Sequence, residues 1–196
     1  MIQGQRTAAL AAASLLLSTS VVCAQEAPAG TADATTVARG KYLVTVAGCN
    51  DCHTPLVMGP NGPDRDMTRM LSGHPDSLEM SPVPQLPPGP WGAVAAATFT
   101  AWAGPWGVSF TANLTPDPET GLGKWTFQNF KDTIRTGRRM GRGREILPPM
   151  PIPMYQHFTD EDLQAIFAYL QSIPAVKNRV PEPWPPPEAP AAASGQ

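Results

Sequence analysis

Twenty-four of the 196 residues are proline, and they limit how much of this chain can be regular. Proline lacks the amide hydrogen that helices and inner strands use, and its ring clashes with the preceding helical turn. Much of the chain must therefore be loop. Residues 54–90 are rich in Pro, Gly and Asp without a sustained apolar period, which predicts a long ordered loop with a helical turn near residues 68–71. Residues 91–114 are apolar and aromatic, with Trp91, Phe99, Trp102, Trp106 and Phe110, but Gly and Pro punctuation argues against one regular element there. Loops of this length inside a compact domain need something to pack on, and a buried cofactor would supply it.

Three segments read as helices. Residues 36–47 carry Val37, Tyr42, Leu43, Val44 and Val46 and stop at Gly48. Residues 126–136 place Phe127, Phe130 and Ile134 on one face, with Thr126 as cap and Gly137 as stop. The last helix is the clearest: Thr159 and Asp162 resemble a capping box, Leu163, Ile166, Phe167 and Leu170 form the apolar stripe, and Pro174 ends it. Gly40 is expected to let the first helix approach the last near Tyr169. Val180 opens a Pro/Ala-rich tail, and residues 181–196 are expected to be extended and disordered.

The first 24 residues have the order of an export signal. Arg6 gives a positive start, residues 7–17 form an Ala/Leu stretch, and Val22-Cys23-Ala24 gives a small-x-small pattern before Gln25. Cleavage after Ala24 and a periplasmic location are expected, with residues 25–35 as a linker and residues 36–180 as the domain. An uncleaved anchor is disfavoured because a span wants about 20 apolar residues. A lipidated Cys23 is disfavoured by Val22 before it. No transmembrane span is expected in the mature chain. A formal charge of −2 offers no basic field for nucleic acid.

Of three cysteines, Cys23 lies in the export signal, leaving Cys49 and Cys52. Two cysteines two residues apart make no ordinary disulfide framework in an exported protein. His53 follows at once, and Cys-x-x-Cys-His is the attachment signature of c-type haem. Thiols one helical turn apart can add to the two vinyl groups on one porphyrin edge, and the adjacent imidazole then faces the iron. The competing readings are a thioredoxin-like dithiol, a zinc site enlisting His74 and His157, and a bare Cys49–Cys52 disulfide. The first wants alternating strands and helices, and the second has irregular ligand spacing. His74 and His157 are expected at the surface.

With His53 as one iron ligand, a methionine is the usual second for an electron carrier. Met150 stands out in Leu147-Pro148-Pro149-Met150-Pro151, a stiff loop before the capped last helix. Met154 is its competitor; Met58, Met67, Met70, Met80 and Met140 are read as filler.

This order of parts resembles the class I c-type cytochromes. More closely, Gly40-Lys41-Tyr42-Leu43, Gly48 to Thr54, Asn113-Leu114-Thr115-Pro116-Asp117, Thr120-Gly121-Leu122-Gly123, Thr159 to Leu163 and Ala168-Tyr169-Leu170 resemble cytochrome subunits of bacterial periplasmic dehydrogenases. The resemblance spans roughly residues 37–181. It implies a mostly α fold with long loops around one covalent haem c, and a methionine before a proline as axial ligand, which Met150-Pro151 matches. Those subunits often carry several haems, whereas this sequence has one Cys-x-x-Cys-His.

The expected function is one-electron transfer between redox proteins: a periplasmic dehydrogenase, a quinol-oxidising complex or a terminal oxidase. The chain would be an electron carrier rather than an enzyme. Alternatives are a fixed relay subunit of a membrane-bound complex and a haem enzyme with an open iron position. Arg135, Arg138, Arg139, Arg142 and Arg144 have three readings: partners for haem propionates, a docking patch for an acidic protein, or a solvated loop. Trp102, Trp106 and Trp125 either line the haem pocket or pack in the core. Asn113 either bonds near the haem or makes a loop turn.

Overall fold

The computed structural model describes residues 33–83 and 90–186, together with Met1. The expected export segment, the linker up to residue 32 and the tail beyond Pro186 lie outside the described residues.

Helix α1 (Ala34–Val46) starts where Asp33 accepts hydrogen bonds from the Thr35 and Thr36 amides at 2.9 and 3.0 Å. These are the orphan donors that a helix start leaves unpaired. The short helix α2 (Cys49–His53) follows, and its partners are described with the site. Helix α3 (Phe127–Thr136) has the expected caps: Thr126 and Asn129 close a reciprocal box, and Gly137 ends it at φ 67°. Helix α4 (Ile152–Tyr155) is one turn. Helix α5 (Asp160–Ser172) is capped by Thr159, and Asp160, Glu161 and Asp162 occupy its first turn, where the helix dipole favours negative charge.

The main core forms where α1, α3 and α5 meet. Leu43, Val44, Phe130, Ile134, Leu163, Ile166, Phe167 and Leu170 are buried there with Leu71 and Leu122. Each such side chain contributes roughly 1.5–3 kcal/mol relative to exposure. The apolar stripe expected for α5 is the one it buries. Helix α1 crosses α5 at Gly40, where a Cβ would overlap the Ala165 carbonyl oxygen and lie 2.8 Å from Tyr169 Cβ. Arg39 then reaches Asp162 at 2.9 Å at the edge of the crossing.

The loops hold more structure than the sequence pattern suggests. Residues 54–90, expected as loop, contain an antiparallel hairpin of β1 (Leu56–Gly59) and β2 (Gly62–Arg65), then a 3-10 turn (Met67–Arg69). The strands are short and mostly exposed, and Pro63 sits in a two-stranded edge, so no alternating pattern marks them. Residues 91–114 contain a three-stranded antiparallel sheet: β3 (Val94–Ala95), β4 (Ala101–Gly104) and β5 (Gly107–Phe110). On β4 the inward residues are Ala101 and Ala103 while Trp102 points the other way, so side-chain size hides the period. With Val108 and Phe110 these alanines form a second, smaller core.

Two further expectations are corrected. The tail is not free from residue 181: Val108 and Trp184 exchange backbone hydrogen bonds at 3.0 Å in both directions, and the Phe110 and Trp184 rings meet edge-on at 5.5 Å. An indole and an edge strand outweigh the prolines around them. His74 is not at the surface; it is fully buried, on Thr100 Oγ1 at 2.9 Å and against the Phe110 ring at 4.9 Å. The sheet folds over it.

Gly40→Ala should force α1 and α5 apart and lower the unfolding free energy by about 3 kcal/mol. Urea denaturation followed by far-ultraviolet circular dichroism measures this. An unchanged midpoint would contradict the close crossing.

Candidate functional site

Gly48 enters the left-handed region at φ 69° and turns the chain from α1 into α2. Cys49 and Cys52 are three residues apart on this turn, which places them on one face. Both thiols are free and partly exposed. Burial pushes the Cys49 thiol up to about 11, and burial followed by the Asp51 charge raises Cys52. A dithiol oxidoreductase needs a depressed thiol, so this pair does not suit that reading. Asp51 pairs with Arg65 of β2, whose Nε also donates to the Asn50 carbonyl at 3.3 Å. Fully buried Thr54 donates to Asn50 Oδ1 at 2.8 Å and accepts from the Leu71 amide at 2.9 Å. The turn is thus held from both sides.

His53 ends the turn and is 8% exposed. Its Nδ1 lies 2.7 Å from the Ala112 carbonyl oxygen. A carbonyl can only accept, so the proton is on Nδ1 and the lone pair is on Nε2. Burial pushes its pKa down, against a smaller upward pull from the Ala112 hydrogen bond, and so favours the neutral ring. A neutral imidazole with one nitrogen donating to a carbonyl and the other free is the form that binds a metal.

Met150 lies on the loop before α4. It is half-buried and packs on the same cluster as Cys49. The loop is anchored at Pro148, whose carbonyl accepts from Ser109 Oγ at 2.6 Å, and after Met150, whose carbonyl accepts from the Ile152 amide at 2.9 Å. The Tyr155 hydroxyl of α4 donates to the Ala47 carbonyl, at the end of α1 just before the cysteine turn. This bond joins the methionine loop to the cysteine turn across 108 residues of sequence. Met154 is 61% exposed, Met58 79% and Met67 58%. Met70 packs on the main core and Met80 on the second.

The donor set fits a haem. Two thiols on one turn, an imidazole with a free Nε2 and a tethered thioether are the groups that such a cofactor uses. Trp102 and Trp106 bury indole N–H groups that have no partner among the described residues, so they are available to an anionic group. Trp125 instead packs on the main core. His74 and His157 are not gathered with the cysteines. Among the described residues no group of three or more His, Cys, Asp or Glu is placed to hold a metal ion.

Arg135 parts company with the other arginines, of which Arg139, Arg142 and Arg144 line one cavity with Glu182. Arg135 donates to the Gln156 and Phe158 carbonyls at 2.6 and 2.7 Å and to Asp160 at 2.7 Å. It is a tie between α3 and the start of α5. Arg138 donates to the Gly143 carbonyl at 2.9 Å, and Arg144 lies 3.4 Å from Glu182. Asn113 does make the expected turn, accepting from the Thr115 amide and hydroxyl at 2.9 and 2.7 Å, and its amide also donates to the Val176 carbonyl at 2.8 Å. The Ala112 carbonyl and Tyr155 were not singled out by the sequence. A backbone acceptor carries no side-chain signal, and a tyrosine near an apolar run reads as core.

The model of the family described as Cytochrome c matches residues 37–174. The cytochrome c subunit of the quinone-type alcohol dehydrogenase of Gluconacetobacter polyoxogenes is 29% identical over 138 residues, 70% of this chain and 22% of that protein. The fructose dehydrogenase cytochrome subunit of Gluconobacter japonicus is 27% identical over 154 residues, 76% and 24% of the two chains. A nicotinate dehydrogenase subunit of Pseudomonas putida is 38% identical over 90 residues, 46% and 8%. This chain therefore spans less than a quarter of each of these relatives.

Arg135→Ala should destabilise the fold by roughly 1–3 kcal/mol, because three acceptors lose a charged donor. Arg139→Ala should stay within about 0.5 kcal/mol, as surface changes do. Thermal unfolding of the two variants side by side separates them. Equal losses would refute the structural tie.

Proposed function

The chain belongs to the cytochrome c family, and from that premise we propose that it carries one haem c and passes single electrons between proteins in the periplasm. Cys49 and Cys52 would hold the haem covalently, and His53 and Met150 would be the iron ligands. The observation that carries this reading is the Tyr155–Ala47 hydrogen bond. It brings the Met150 loop against the end of the helix that leads into Cys49, Cys52 and His53.

The bound haem supplies an iron that alternates between Fe(II) and Fe(III). The residues of the chain do the rest. The cysteines prevent loss of the cofactor outside the cell. The Ala112 carbonyl keeps the proton on His53 Nδ1 and the lone pair on Nε2. Pro148, Pro149, Pro151 and Pro153 restrict the loop, so Met150 gives up little entropy when it binds. Met154 projects to solvent and does not suit the role. With His53 and Met150 both holding the iron, no substrate would reach it, and the protein would act as a carrier.

The partners are redox proteins: a dehydrogenase as donor, with a quinol-oxidising complex or terminal oxidase as the other candidates. A fixed relay subunit of a membrane-bound dehydrogenase is the second reading, favoured because the relatives are themselves described as dehydrogenase subunits. The export-type order of the first 24 residues supports the periplasmic location. No helix among the described residues is long and apolar enough to cross a membrane. Co-purification with a larger enzyme would favour the subunit, and rapid carbon monoxide binding to the reduced protein would favour an open iron position instead.

Two measurements test the reading. The colour should survive acid–acetone extraction, with one haem per chain; extractable colour would refute covalent attachment. Met150→Ala should lose the weak near-infrared Fe–S band and fall in reduction potential, while Met154→Ala keeps both. The reverse pattern would transfer the ligand role to Met154.

A further inference from the structure

We propose that Gly73 and Asn113 are positioning residues for the axial histidine: together they fix the Ala112 carbonyl on His53 Nδ1 and so hold down the reduction potential. The inference rests on the reading of His53 as an iron ligand and concerns what tunes that ligand.

His53 is held twice by two facing segments. Its carbonyl accepts from the Gly73 amide at 2.8 Å, and its ring donates to the Ala112 carbonyl at 2.7 Å. Those segments are themselves paired: the His74 amide donates to the Thr111 carbonyl at 3.0 Å and the Leu114 amide to the Leu71 carbonyl at 2.9 Å. The pairing is close because residue 73 is glycine at φ 78°. A Cβ there would overlap the Thr111 oxygen and lie 2.6 Å from the Ala112 oxygen, the atom that His53 uses. Any side chain at 73 must push that carbonyl away from the imidazole.

The next residue locks the peptide from the other side. Asn113 is 3% exposed. Its Oδ1 accepts from both the amide and the hydroxyl of Thr115, while Nδ2 donates to the Val176 carbonyl at 2.8 Å and to Thr120 Oγ1 at 3.2 Å. Each bond constrains the rotation of the peptide unit that carries the Ala112 oxygen. Asn178, fully buried, fixes the facing segment by donating to the Ser72 and His74 carbonyls at 2.7 and 2.8 Å. The acceptor of the ligand hydrogen bond is therefore anchored to the segment after α5.

The sign follows from ligand basicity. A stronger bond from Nδ1–H makes the imidazole more electron-donating, which stabilises the ferric state and lowers the potential. A displaced carbonyl weakens the bond and raises it. Loss of the methionine shifts the potential the opposite way, so the two faults cannot be confused.

The test compares wild-type holoprotein with Gly73→Ala and Asn113→Ser. Asn113→Ser adds no charge and leaves the glycine contact intact, so it carries the test if Gly73→Ala does not fold. Three readouts are needed: the reduction potential, the Fe–S band, and solvent exchange of the His53 Nδ1 proton by NMR of the diamagnetic ferrous protein. The expected result is a higher potential with the band kept and proton exchange faster by roughly tenfold, the equivalent of one net hydrogen bond. An unchanged or lowered potential with unchanged exchange overturns the inference. If His53 is not the ligand, the wild-type protein shows no haem-shifted His53 resonances. In that case the proposed function itself fails before any variant is compared.

Discussion

The hydrogen bond from His53 to the Ala112 carbonyl joins parts of the chain that the sequence keeps 59 residues apart. It connects the cysteine turn to the Thr111–Thr115 segment, and through Asn113 to the segment that leaves α5. Without it, a buried imidazole would carry an unpaired N–H, at a cost of about 1–3 kcal/mol. With it, the ring has a single tautomer and a single orientation, and the lone pair on Nε2 is committed to whatever lies beyond. Much of the loop structure serves to present one carbonyl oxygen in one place.

The two cores divide the labour. The α1–α3–α5 core is built from long aliphatic and aromatic side chains and is the larger of the two. It closes because Gly40 removes a side chain at the tightest point of the α1–α5 crossing. The sheet core is smaller, with Ala101, Ala103, Val108 and Phe110, and its role is positional. It covers His74, carries Ser109 to the Pro148 carbonyl, and accepts Trp184 along its edge. The methionine loop is thus braced by the sheet at one end and by Tyr155 on Ala47 at the other. A neutral thioether is a weak ligand, so such bracing suits the role proposed for Met150.

The arginine-rich segment shows that neighbours in sequence need not share one role. Five arginines between residues 135 and 144 suggest one surface with one purpose. In the fold Arg135 stands apart, its guanidinium spent on backbone carbonyls and Asp160, whereas Arg139, Arg142 and Arg144 line one cavity with Glu182. The same holds for the histidines: His74 is a buried packing residue beside Phe110 and Thr100, and among the described residues it belongs to no group placed to hold a metal.

What the sequence determined by itself was whatever depends on near neighbours in the chain. The helix caps at Thr126 and Thr159, the stop at Gly137, the stripe on α5 and the Cys49–Cys52–His53 turn all follow from spacings of three or four residues, and each is where those spacings put it. Gly40 was legible too, because a glycine inside an apolar helix implies a close neighbour. What only the tertiary structure decided was pairing between distant backbone segments. The β1–β2 hairpin and the β3–β4–β5 sheet use short strands whose side chains do not alternate in hydrophobicity, so their register is set by hydrogen bonds that leave no trace in composition. Trp184 and His74 were misplaced for the same reason: their burial is supplied by strands far away in sequence. The acceptor for His53 is a main-chain oxygen, identical at every position of the chain, and only the fold could say which one is used.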